Sequence, residues 1–575
     1  MKIKNLPGQS NKNPQGKKWR RLDNTGKLFP LVSSESLSNV FRIAVTLKEE
    51  IEPQILQQAL NDILPQFESF RVRLRRGLFW YYFESNHRKI TVAKEDAYPC
   101  QYISHKVYPY YLLRVSYYST RINVEIYHAL SDGLGAVNFA KLLACRYLQI
   151  KYQMDTPPIL RNANIPGEEE DGYLKHYKET KKQNYSNEKA YQLEGRKLAH
   201  GVENVIHGSV PLKQLKTVSK SYGVSITKYL TAVLIWTIYD EYLKGEDVTP
   251  FIGVNLPINL RSMFKSETLA NFFAVTAINY NPTGRRVDFD DILKVVSEQI
   301  DDQIVKEKLE EKISYNVSNE KKWYLKIVPL VIKKLALKLV FRRKDSGHTI
   351  TLSNLGPIKV EEPYNQYIES FYVLIGVSHK QTAKCAIIAY EDNLMITMST
   401  VFDDNKLANG FFDKLKKHGI SSELESNGTV DTEHDKGRYP LRQEIAAATI
   451  KKEISFAKII VWYMVLIQVG FVVLDYIFSL DRISVNYILP AAMLLSNITI
   501  AALMYFDRKK WQSYFMYLFS LTFASILPII FWAVGYITNP TLAIINILTA
   551  IALFAVTVYS RRKSTIEELS RRLHI

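Results

Sequence analysis

The sequence predicts a mixed α/β protein built as two successive halves, followed by a C-terminal domain of four transmembrane helices. Three observations carry this. Strand-like and helix-like segments alternate from about residue 21 to 418. A charged stretch within residues 161–204, NIPGEEEDGYLKHYKETKKQNYSNEKAYQLEG, divides that region in two and reads as a crossover linker. Four apolar runs, at about 454–478, 485–506, 511–537 and 541–560, fill residues 451–575. At 575 residues the chain is long enough for several cores.

Residues 1–20 read as a disordered basic arm. The arm has no apolar stretch, so it is not a secretory signal, and the region after it is expected to stay in the cytosol. The first half, 21–160, opens with helical spacing in EEIEPQILQQALNDILPQFESF, where Leu56, Leu60, Ile63 and Phe67 share one face. LFWYYFES reads as a strand, and YYLLRVSYYS with RINVEIY as a hairpin. The second half, 205–418, holds a helix near SITKYLTAVLIWTIYDEYL. Its strands lie near VTPFIGVNLPI, FAVTAINY, IESFYVLIGVS, CAIIAY and LMITMSTV, and NKLANGFFDKLKKHG is a closing helix. Residues 419–450 are a polar linker.

Each apolar run is near or above the roughly 20 residues a spanning helix needs. Lys451, Lys452 and Lys458 open the first run. Arg508 to Lys510 separate the second and third, and Arg561 to Lys563 follow the fourth. That distribution predicts a multi-pass protein of the cell membrane, with the N-terminal region and the C-terminus facing the cytoplasm. Asp475, Asn497, Asn546 and Pro528 interrupt the apolar runs.

The formal charge of +18 predicts an anionic partner. No recognised nucleic-acid motif accompanies it, so nucleic acid is not expected. Cys100, Cys145 and Cys385 are scattered and form no CxxC, so neither a metal site nor a disulfide framework is predicted. In KKWYLKIVPLVIKKLALKLVFRRKD, residues 321–345, Lys334, Lys338 and Arg342 fall on one helical face, with Trp323, Leu330, Leu335, Leu337 and Val340 elsewhere. Three readings stay open: a helix on an anionic leaflet, cations for CoA phosphates, or a core helix with a solvated basic face.

The stretch RINVEIYHALSDGLGAVNFAKLL carries the candidate chemistry. His128 follows the alternating strand, and imidazole, with an ordinary pKa of about 6.5, is largely free to take a proton at neutral pH. Asp132 reads as a residue pinning the loop, paired with an arginine elsewhere. Gly133 allows a close backbone approach and opens the helix that follows. A single histidine is more often structural, and His with Asp at +4 and Gly at +5 between strand and helix adds weight to a general base.

HALSDG resembles the HxxxDG motif of the CoA-dependent acyltransferase superfamily, which includes chloramphenicol acetyltransferase, condensation domains and wax ester synthases. NLPINLR at 255–261, ANFFAV at 270–275 and LSNLGPI at 352–358 are similar to further segments of that superfamily, in the same order. The resemblance covers about residues 21–418 and is nearest to the bacterial alcohol-acetyltransferase-like branch, here with a membrane tail. It implies two chloramphenicol-acetyltransferase-like halves forming a V-shaped pseudo-dimer with a tunnel between them. It implies His128 as general base, Asp132 paired with Arg261 as support of the catalytic loop, and Ser353 and Asn354 near the oxyanion or acyl donor. It further implies O-acyl transfer, an acetyl group among the candidates, from acyl-CoA as cosubstrate to an alcohol or lipid-like acceptor, without a tightly bound cofactor. Tyr127 stands where condensation domains carry a second histidine, and SNLG replaces DFGWG. Two alternatives remain: a non-catalytic membrane scaffold of the same fold, and an amide-forming condensation enzyme. None of these motifs encodes acyl length or oligomeric state.

Overall fold

The computed structural model describes residues 19–105, 107, 109–154, 168–179, 188–199, 201–243, 250–282, 287–322, 325–326, 328–344, 347–427, 483–506 and 511–560. Most of the basic arm, part of the crossover stretch, most of the polar linker and the whole first apolar run at 454–478 lie outside the described residues. The chain divides into two units, Met1–Tyr439 and Pro440–Ile575.

The first unit is mixed α/β. One sheet has five strands in the order Ile368–Ile375, Val40–Leu47, Arg121–Tyr127, Leu113–Tyr118 and Ala93–Lys94. The expected hairpin pairs Val115 with Val124. Ile122, Val124 and Ile126 join a core that includes Leu56, Leu60, Ile63 and Phe67 from the helix Pro53–Ile63 and the turn after it, and Phe139 and Leu143 from the helix Gly133–Lys151. The alternate residues Asn123 and Glu125 are buried too. Glu125 lies between Arg42, whose Nη2 donates at 2.8 Å, and Arg114, whose Nε donates at 2.7 Å. Burial alone would push the Glu125 pKa up, and the two guanidinium charges hold it below the ordinary carboxylate value instead.

A seven-stranded sheet runs Phe273–Tyr280, Ile252–Asn259, Ile350–Ile358, Ala383–Tyr390, Asn393–Thr400, Asn204–Pro211 and Glu423–Ser426. Ile350–Ile358 pairs parallel with both neighbours, and the other pairs are antiparallel. Its core takes in the helices Ile226–Glu241, Phe289–Gln303 and Lys406–Lys417. Ser225 caps the first of these by accepting from the Lys228 N–H. The strand Ile368–Ile375 comes from the second half of the sequence but pairs with Val40–Leu47 in the five-stranded sheet. A small third sheet joins Trp19–Arg21, Tyr81–Ser85 and Val72–Arg76.

In the second unit, two helices among the described residues are long and apolar enough to cross a membrane, Ser484–Phe506 and Thr541–Ser560. They coincide with the second and fourth predicted runs. The third run is helical with a turn inside it. Its helix Trp511–Ala524 stops, and Leu527–Ala533 begins afresh. Pro528 explains the break: it lacks an N–H and its ring crowds the carbonyl four residues earlier, that of Ala524. Asn497, Ser525 and Asn546 meet inside this unit, all fully buried, with Asn497 Nδ2 donating to Ser525 Oγ at 3.0 Å.

Candidate active site

The turn after the strand Arg121–Tyr127 is held from several sides. The His128 N–H donates to Asn39 O at 2.9 Å, and Ser131 Oγ donates to Leu269 O at 2.6 Å. Asp132 has extended backbone and caps the helix Gly133–Lys151, accepting from the Gly135 N–H. Its carboxylate faces Arg261 in a two-pronged pair, Nη1 to Oδ2 at 2.8 Å and Nη2 to Oδ1 at 2.9 Å. Asp132 Oδ2 also accepts the Phe272 N–H at 3.0 Å.

Arg261 is buried and spends every donor. Nε donates to Thr268 O, Nη1 also to Asn259 Oδ1, and Nη2 also to Ala270 O. A guanidinium has five N–H groups in a rigid fork, and all of them find acceptors. This pair ties the His128 turn to the loop between two strands of the seven-stranded sheet. Gly133 lets the turn approach Leu355, whose side chain would meet any added Cβ. Gly135 is tighter, since a Cβ there would strike Ser131 Oγ and sit 2.8 Å from Leu269 O.

His128 itself is partly exposed. Phe29 stacks on its ring with centroids 4.5 Å apart, Phe41 lies at 5.1 Å and Phe273 at 5.5 Å. Nδ1 lies 2.9 Å from Asn271 Oδ1. The same amide turns its Nδ2 to Asp23 Oδ2 at 3.0 Å, and the Asn271 backbone N–H also reaches that oxygen. With Nδ2 donating to a carboxylate, Oδ1 is the acceptor, so Nδ1 of His128 carries the proton. Nε2 then holds a lone pair. Burial lowers the His128 pKa below its ordinary value, against the opposing pull of the Asp132 charge. The ring is therefore neutral near pH 7, in the tautomer a base requires. Burial raises the Asp23 pKa, opposed chiefly by its hydrogen bond from Asn271.

Ser353 and Asn354 lie on the strand Ile350–Ile358, beside a bulge where Gly356 adopts φ +76. Asn354 is occupied locally, donating to Thr227 Oγ1 at 3.0 Å and accepting the Gly356 N–H at 2.9 Å. Ser353 is half-buried, and its hydroxyl has no hydrogen-bond partner among the described residues. His207 is a packed residue. Its Nδ1 lies 2.8 Å from Thr397 Oγ1, its ring lies against Tyr372, and burial takes its pKa to about 3.

Asn271, Asp23 and the aromatic ring neighbours of His128 were not singled out from the sequence. Asn271 sits in ANFFAV, whose resemblance to a superfamily segment assigns it no role. Asp23 is 248 positions from Asn271, and RRLDNTG carries no spacing that announces the contact.

Residues 444–575 match a family of unknown function (DUF6320). No curated protein matches the chain. Among solved structures, the chain is similar to F. sporotrichioides TRI101 complexed with coenzyme A and T-2, at a TM-score of 0.50 and 11% identity over 70% of this chain and 99% of that one. It is also similar to polyketide synthase associated protein 5 from Mycobacterium tuberculosis, at a TM-score of 0.45 and 12% identity over 69% and 96%. The wax ester synthase/diacylglycerol acyltransferase from Marinobacter aquaeolei VT8 aligns at a TM-score of 0.42 and 11% identity over 70% and 100%. The match to TRI101 shows a common fold.

Proposed function

We propose that the protein is a membrane-anchored O-acyltransferase that moves an acyl group from a CoA thioester to an alcohol, with His128 as general base. The carrying observation is the His128 ring with Nδ1 2.9 Å from Asn271 Oδ1, an arrangement that leaves Nε2 as the acceptor. A fold shared with a protein crystallised with coenzyme A adds support.

In this mechanism Nε2 takes the proton of the acceptor hydroxyl as its oxygen attacks the thioester carbonyl carbon. The C–S bond then breaks, the acyl group stays on the acceptor oxygen, and imidazolium returns the proton to the CoA thiolate. Ser353 donates to the developing oxyanion, a contact of about 3 kcal/mol for one aimed donor. Asn354, bonded to Thr227 Oγ1 and the Gly356 N–H, holds the strand bulge beside Ser353 near the acyl donor. Asp132 and Arg261 hold the turn and leave the proton alone. The two halves share the channel in which acyl-CoA and acceptor meet, and the second unit spans the cell membrane several times with the first unit on the cytoplasmic side.

The test is thiol release from acetyl-CoA and longer acyl-CoAs by reconstituted full-length protein given candidate alcohols. His128→Ala should lose transfer by about 10³-fold or more. Transfer at the wild-type rate removes His128 from the mechanism.

A further inference from the structure

The helix Leu330–Lys344 begins with a buried lysine and exposed aliphatic side chains. Lys333 is buried, with Nζ donating to Phe79 O at 3.0 Å and lying 3.7 Å over the Trp80 ring. Val331, Ile332 and Leu335 are 62%, 57% and 66% exposed. Leu335 lies four residues from Val331 and three from Ile332, so it neighbours both on the helix surface and joins them into one patch. Leu335, which helical spacing sets apart from the basic face of Lys334, Lys338 and Arg342, is itself outward. Aliphatic side chains turned toward water over a buried lysine mark a surface made for an apolar partner.

We propose that this helix docks the first unit on an anionic bilayer surface, with Val331, Ile332 and Leu335 among the acyl chains. Charge selects the partner. Beyond the buried Lys333, from Lys334 to Lys344 the sequence reads KLALKLVFRRK, five basic residues and no acidic one. A second copy would bring like charges together, while an anionic leaflet offers phosphates above an apolar layer. The chain also carries helices able to hold it at a membrane.

The position adds a consequence, which rests on the acyl-transfer reading. The helix packs against the short helix Phe29–Val32, whose Phe29 ring stacks on His128. The docked helix thus stands one packed element away from the base, and the acceptor is a membrane-borne alcohol that enters beside Phe29.

The test uses full-length protein in vesicles of phosphatidylcholine, with or without phosphatidylglycerol. Leu335→Cys carries an environment-sensitive fluorophore. Cys100, Cys145 and Cys385 are buried, so labelling goes to the new thiol. Lys216→Cys, at an exposed position on the helix Leu212–Ser221, is the reference. Docking gives a blue shift and quenching by spin-labelled lipid at 335, stronger with phosphatidylglycerol, and neither at 216. Water-like emission at 335, or a shift that follows protein density rather than lipid, overturns the proposal. Val331→Glu with Leu335→Glu should cut turnover of a long-chain bilayer-borne alcohol about tenfold and spare a short water-soluble one. Equal loss on both refutes the entrance. Absence of transfer by the unaltered protein refutes the enzymatic reading, while the quenching result still decides docking.

Discussion

Asn271 accepts from His128 through Oδ1 at 2.9 Å while donating to Asp23 through Nδ2 at 3.0 Å. The amide thus converts a buried carboxylate into a neutral acceptor for imidazole. It fixes the tautomer without placing a negative charge against the ring.

Asn271→Ala removes that acceptor, and the ring can then adopt the tautomer whose Nε2 is protonated. The expected result is a fall in kcat on the order of a hundredfold with the KM for acyl-CoA little changed. Steady-state kinetics check it, and an unchanged kcat would strip Asn271 of its positioning role.

Asn271→Asp tests the electrostatic half. In the native site burial holds the His128 pKa below its ordinary value, so the proposed base keeps its lone pair to lower pH than a free imidazole would. A carboxylate facing Nδ1 stabilises imidazolium and raises that pKa. The acid limb of the rate profile should therefore move to higher pH in the variant. A limb that stays put means another group sets it.

Asp132→Asn leaves the Arg261 guanidinium buried without its counter-charge. Removing one partner of a buried pair costs roughly 3–5 kcal/mol. Denaturant midpoints of solubilised full-length protein should fall accordingly. A midpoint equal to the native one contradicts the assignment of this pair as the fastening of the turn.

His128, Asp132, Gly133 and Arg261 were legible because three of them lie within six residues and Arg261 ends a segment with its own pattern. The helix face of Leu56, Leu60 and Ile63 and the hairpin were legible through periodicity, which reports burial directly. Asp23 was not, because a single aspartate in a polar stretch gains its role only when the chain brings it to Asn271. The strand Ile368–Ile375 looks like its neighbours in sequence, and pairing in the other sheet depends on the path of the chain rather than on its own residues. Pro528 was legible as an interruption of the third apolar run, and the missing N–H shows where the helix breaks.

Gly135→Ala should destabilise more than Gly133→Ala. At 135 the new methyl meets Ser131 Oγ, itself bonded to Leu269 O, and the Leu269 carbonyl, neither of which can retreat cheaply. At 133 it meets the end of the Leu355 side chain, which can turn aside. Overpacking of the first kind costs about 1–3 kcal/mol. Thermal melts of the two variants decide the order, and equal melts would show that the Ser131 clamp yields.

Glu203 supplies a pH dependence separate from catalysis. Its Oε1 accepts the Val377 N–H at 3.0 Å, and its Oε2 has no partner among the described residues. Burial raises its pKa to about 8, with Glu125 adding to the rise and Lys384 and Arg42 opposing it. The folded value thus exceeds the ordinary 4.5, and the native state keeps a proton that the unfolded chain releases. Stability from this group is full below about pH 4.5 and is lost as pH rises toward 8, by at most about 1.4 kcal/mol per unit. Glu203→Gln holds the neutral form at every pH. The difference in denaturation midpoint between variant and native protein should therefore grow between pH 5 and pH 8, the variant gaining with alkalinity. Comparing the two proteins cancels other titrations, so a constant difference would mean that the Glu203 carboxyl is already ionised in the fold.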